Sequence, residues 1–94
     1  MKYISNAKRG EPVETGTIYR GENKRLDICV HTLFGCGETL YMSCQALGIK
    51  DKRLNSTSVI AAINEAQSIV KRELDLLSKE LNSILNSEIE ISRH

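Results

Sequence analysis

Residues 59 to 85, VIAAINEAQSIVKRELDLLSKELNSIL, decide the fold. The stretch contains no glycine or proline, and its apolar residues return every third or fourth position, the spacing of one face of an α-helix. Asn55, Ser56, Thr57 and Ser58 stand just before it as candidate caps for the unpaired N–H groups of the first turn. Asn55-Ser56-Thr57 also spells a glycosylation sequon, but with no secretory segment in view capping takes precedence. The sequence predicts one long helix over residues 56–86.

Written as heptads, the helix puts Ile60, Gln67, Leu74, Leu81 and Glu88 at one seam position and Ile63, Val70, Leu77, Ile84 and Ile91 at the other. Val59, Ala62, Ala66, Ile69 and, at its edge, Leu76 broaden this stripe in the first half, as packing on a sheet requires. Further along it narrows to Leu74, Leu77, Leu81, Ile84 and Leu85. A helix of about 28 residues spans about 42 Å, whereas strands of six or seven residues span only about 20–23 Å. A sheet of that size leaves the second half bare. Those five residues are therefore expected to join two copies of the chain. The alternative is a break near Ser78 or Asn82, although no glycine or proline supplies one.

Upstream the period changes from helical to alternating. In TLYMSCQA (39–46), Leu40, Met42, Cys44 and Ala46 alternate with Tyr41, Ser43 and Gln45; in KRLDICVHTL (24–33), Leu26, Ile28 and Val30 alternate with Asp27, Cys29 and His31. ETGTIYR (14–20) and the breaker cluster GEN complete a hairpin with its tip near Gly21 to Asn23. The expected architecture is α+β: a three-stranded antiparallel β-meander over 13–46 packed on one long C-terminal helix, in a single domain covering 1–94. Residues 1–12 are expected to form an arm or a poorly defined first strand, IKDKR (49–53) belongs to the connection, and 87–94 is a tail in which EIEIS is a candidate short extra strand.

A chain of 94 residues closes one core and buries only about 60–65% of the surface its unfolded form exposes. Three cysteines make no disulfide framework, and without a signal segment a cytoplasmic protein with free thiols is expected. No apolar run approaches the roughly 20 residues of a membrane span. Oligomerisation is the remaining source of added stability.

HTLFGCGETLY (31–41) holds the residues nearest to chemistry. Cys36 and His31 as nucleophile and base would need a third, orienting group, and only Glu38 is local. Gly35 and Gly37 are better explained by the positive φ of a tight strand reversal. Zinc held by Cys29, His31, Cys36 and Cys44 would lack the paired knuckle spacing that sets two ligands at once, and Cys44 falls on the apolar face. Neither catalysis, nor a metal, nor a cofactor is expected.

Two surfaces remain. On the face away from the helix, Tyr19, His31 and Tyr41, with Thr17, Cys29 and Ser43, are expected to sit together as a partner-contact surface. At one end of the sheet, Arg20, Lys24 and Arg25 from the hairpin tip and Lys50, Lys52 and Arg53 from the connection are expected to converge with the helix N-terminus into an anion- or partner-binding site. Residues 1–53 carry nine Lys and Arg against six acids, and 54–94 carry four against six, so the basic half is the front half. In size and in lacking a catalytic signature the chain is similar to the small inhibitors that phages and mobile elements encode, a likeness of format that no residue carries. The expected function is that of a non-enzymatic regulator or inhibitor occluding an acidic or nucleic-acid-handling partner. Direct binding of nucleic acid or a nucleotide at the basic end is the alternative, and a Cys36–His31 enzyme a distant third.

Overall fold

The computed structural model describes residues 2–6, 18–23, 25–33 and 35–92. An antiparallel sheet is followed by one C-terminal helix, so the α+β class stands, with five strands in place of three. β1 (Tyr3–Ser5), β2 (Ile18–Gly21), β3 (Ile28–His31), β4 (Tyr41–Cys44) and β5 (Ile49–Arg53) lie side by side in sequence order, and α1 spans Val59–Asn86. The two added strands are the sheet's edges, in segments that the sequence assigns to an arm and a connection. Edge strands lack neighbours on one side and need no strict alternation; IKDKR carries a single apolar residue for that reason. Among the described residues of the tail, 88–92 form no strand.

β3 and β4, with Leu40 just before β4, bury alternating residues that the sequence singles out. Ile28, Val30, Leu40, Met42 and Cys44 form the core with Leu54 and with Ala62, Ala66 and Val70 of α1. Small residues at 62 and 66 let the helix settle close onto the sheet. Gly35 and Gly37 adopt φ of 79° and 65° in the β3–β4 reversal, as their position demands. Ser58 caps α1, its hydroxyl accepting from the Ala61 N–H at 3.2 Å.

One phase is opposite to expectation. Tyr19 pairs with Val30 and packs against the core, so it lies on the helix-covered face, and Ile18 and Arg20 take the outer face with His31 and Cys29. A register step of one residue exchanges the two faces of a strand. In TIYR either phase offers one large apolar residue inward, and the 22–27 loop decides which. Asn23 organises that loop, its side-chain oxygen accepting from the N–H groups of Arg25 at 2.9 Å and Leu26 at 3.2 Å.

β5 also redirects the chain. Pairing places Gly21 and Ile49 at one end of the sheet and His31, Tyr41 and Arg53 at the other. The helix starts from the second end and runs toward the first, reaching Tyr3, whose hydroxyl accepts from Gln67 Nε2 at 2.9 Å. Residues 71–86 continue about 24 Å beyond the sheet, which gives the molecule its 60 Å length against 29 and 22 Å across. Among the described residues no helix is long and apolar enough to cross a membrane.

Candidate functional site

The helix overhang carries a row of exposed apolar side chains. Val70 is 3% exposed, whereas along the same helix face exposure rises from 38% at Leu74 to 54% at Leu81 and 70% at Leu85. Leu77 and Ile84 complete the row, and Leu76 lies beside it. All five residues expected to join two chains thus stand on one bare stripe. The sheet covers that face as far as Val70 and no further. Lys71 and Asp75 pair at 3.0 Å on the helix surface.

On the outer sheet face, His31 and Tyr41 stack with ring centroids 6.3 Å apart, as expected for those two; Tyr19 is on the other face, and Thr17 lies outside the described residues. His31 Nε2 lies 2.8 Å from Ser43 Oγ and 3.4 Å from Asp51 Oδ1, while Nδ1 lies 3.3 Å from the Thr32 carbonyl oxygen. With Nδ1 donating to the Thr32 carbonyl, Nε2 accepts the Ser43 hydroxyl proton. Ser43 Oγ also accepts the Asp51 N–H at 3.0 Å. Asp51 sits at φ 51° in the bulge where β5 slips against β4, a left-handed conformation that aspartate tolerates better than most side chains.

A serine hydroxyl on an imidazole is half of a nucleophile–base pair. Here Ser43 Oγ also accepts the Asp51 N–H at the bulge, and the imidazole is oriented by the Thr32 main-chain carbonyl rather than by a carboxylate. What the cluster does is fasten the bulge. Ser43→Ala leaves the Asp51 N–H and His31 Nε2 without their partner, and should cost about 1–2 kcal/mol in urea unfolding. Asp51→Gly keeps the N–H and favours the left-handed backbone, and should cost less.

Cys36 is at the exposed tip of the β3–β4 reversal, while His31 is buried under its own partners. A hydrogen bond with Cys36 pushes the Tyr41 phenol above its ordinary range. Burial pushes the Cys29 thiol up, against the lowering effect of Arg20, and a protonated thiol is a poor nucleophile. Cys44 is buried on the opposite face. Among the described residues no group of three or more His, Cys, Asp or Glu side chains is placed to hold a metal ion.

The five described basic residues do not form one cluster. Arg25 and Lys50 lie toward the first end of the sheet, Lys52 and Arg53 lie at the second end beside the start of α1, and Lys24 is outside the described residues. Arg20 is on the outer face, its Nε 3.8 Å from Asp27 Oδ1. The cause is β5, which carries the chain back across the sheet before the helix begins. Ile4, Ile18 and Arg20 instead border an open outer-face hollow of about 650 Å³, together with Asn23 and Asp27. A second hollow of about 470 Å³ lies at the first end, between the 22–27 loop and Gln45–Ala46.

Glu65 holds the chain entering the helix. Its carboxylate accepts from the N–H groups of Asn55 at 3.0 Å and Ser56 at 2.9 Å and from the Ser56 hydroxyl at 2.7 Å. These bonds, that from the Asn55 N–H foremost, hold the carboxyl below its ordinary value. A depressed folded-state value stabilises the fold above the unfolded carboxyl's titration, near 4.3, and that contribution disappears as pH falls through the folded value. Glu65→Gln should lower the melting temperature by a few degrees at pH 7. The difference should shrink as pH falls below the unfolded carboxyl's value, near 4.3, and vanish once the folded carboxyl is protonated, which thermal melts over a series of acidic pH values check.

No family model, curated protein or solved structure matches this chain.

Proposed function

We propose that the protein is a non-enzymatic binding protein that works as a dimer joined by the overhanging half of α1. The observation that carries this reading is the stripe Leu74, Leu77, Leu81, Ile84 and Leu85, half or more exposed over most of its length on a helix whose preceding turns are buried. An apolar row of this regularity on a rigid helix is costly in water and is stabilised by a second helix. A dimer of this kind presents two sheets, each with its outer face open. Ile4 and Ile18 beside Arg20 give that face an apolar patch with a cation at its border, a surface suited to a protein partner.

The role that agrees with such a scaffold is that of a regulator or inhibitor which occludes an acidic or nucleic-acid-handling partner. The second reading, direct binding of nucleic acid or a nucleotide, draws on the exposed Lys50, Lys52 and Arg53 of β5. Fluorescence anisotropy with a short labelled oligonucleotide separates them. The first reading expects no binding at physiological salt, and the second expects an affinity that falls linearly in log salt with a slope counting the phosphates contacted. The solution mass tests the dimer itself.

A further inference from the structure

Four of the five stripe residues are placed symmetrically, and the fifth, Leu85, reflects onto Glu73. Leu74 and Ile84 lie five residues either side of Lys79, and Leu77 and Leu81 lie two either side. Reversing a second helix about that point sets Leu74 against Ile84 and Leu77 against Leu81 in each half of the seam. The sheet supports the same orientation. On residues 59–70 it covers Ala62, Ala66 and Val70 and leaves Ile60 exposed, a face that overlaps the one bare on 71–86 along the row Val70, Leu77 and Ile84. In a parallel pair both sheets would lie between the two helices, holding them about three layers, or about 30 Å, apart at one end, against the 8–10 Å that helix contact requires at the other. In an antiparallel pair each sheet lies beyond the end of the other helix, and the straight helices stay in contact throughout the overlap.

Charge follows the same pattern. Lys71 and Arg72 open the overhang, and side by side in a parallel pair they would repel their own copies. Reversed, they lie near the place where the second copy's helix ends and its acidic tail, Glu88-Ile89-Glu90-Ile91, begins. The helix closes at Ser87, whose hydroxyl donates to the Ile84 carbonyl at 2.9 Å, and Ile89 and Ile91 are 92% and 85% exposed. An antiparallel partner occupies the layer of the sheet, so its tail emerges against the sheet's first end. That end carries Arg25 and Lys50 and the 470 Å³ hollow lined by Asn23, Arg25, Asp27, Gln45 and Ala46.

We propose that two copies pair antiparallel about Lys79 and that the tail of each, residues 88–92, docks at the end of the other's sheet, between the 22–27 loop and Gln45–Ala46. The proposal rests on the dimer proposed above and adds its orientation and a tail exchange. Spin labels at Ser78→Cys or Ser87→Cys, in a Cys29→Ala/Cys36→Ser background, test the orientation by pulsed electron resonance. Antiparallel pairing separates the Ser78 labels by about 3 Å along the axis and the Ser87 labels by about 24 Å, whereas equal distances at both sites would overturn it. Glu88→Lys/Glu90→Lys should weaken the dimer roughly five- to tenfold, with recovery when Arg25→Glu/Lys50→Glu is added. An unchanged dimer constant overturns the tail exchange. A monomeric parent protein overturns both this proposal and the dimer reading, while a dimer with equal label distances overturns this proposal alone.

Discussion

Leu81→Asp should leave the protein folded and monomeric. Leu81 is 54% exposed in the single chain and belongs to no part of the core that the sheet makes with Ala62, Ala66 and Val70. Its replacement therefore leaves the α+β domain alone. In the proposed dimer the same position meets the second helix, and the two-fold enters the charge twice. Burying two carboxylates in an apolar seam should cost about 4 kcal/mol or more, a roughly thousandfold rise in the dimer dissociation constant. Far-ultraviolet circular dichroism would stay close to that of the parent while the sedimenting mass halves. A variant that remains dimeric would place the interface elsewhere.

Met42→Ala should have the largest effect on the fold itself. Met42 is fully buried on β4, paired with Val30 on β3 and facing the helix with Cys44 beside it in the core. Truncating such a residue removes its transfer energy and leaves a cavity that the flush helix cannot collapse into, at about 2–5 kcal/mol. Domains of this size hold only about 5–15 kcal/mol in total, so urea midpoints should fall sharply. Ile18→Ala, on the outer face, should change little by comparison, since Ile18 is already 37% exposed.

The long helix and the three inner strands were legible because each buries one face, and burial writes a period into the sequence: three to four from Val59 to Leu85, two through Ile28, Val30, Leu40 and Met42. β1 and β5 were not, because an edge strand is held by main-chain hydrogen bonds that leave no mark on residue choice. That omission carried a second one. With β5 read as a connection, Arg25 and Arg53 fall at the same end; with β5 as a strand, they fall at opposite ends. Tyr19 was ambiguous for another reason, since Ile18 and Tyr19 are both large and only the loop length fixes the phase.

The polar contacts were legible least. His31 and Ser43 could be placed on one face from alternation alone, but their link to Asp51 depends on a bulge that shifts β5 by one residue. Glu65 reaches back to Asn55 and Ser56 across ten and nine positions, and a helix surface glutamate gives no sign of such a reach in a single sequence. The seam, by contrast, was visible as a mismatch of lengths. A helix with an apolar stripe longer than any sheet the chain can form leaves the end of that stripe bare.

Light scattering coupled to gel filtration, at tens of micromolar protein and physiological salt, tests that central claim most directly. The chain has a mass of 10.5 kDa. A dimer joined by Leu74, Leu77, Leu81, Ile84 and Leu85 predicts twice that mass across the eluting peak, falling toward the single-chain value on dilution. A constant 10.5 kDa at every concentration would contradict it.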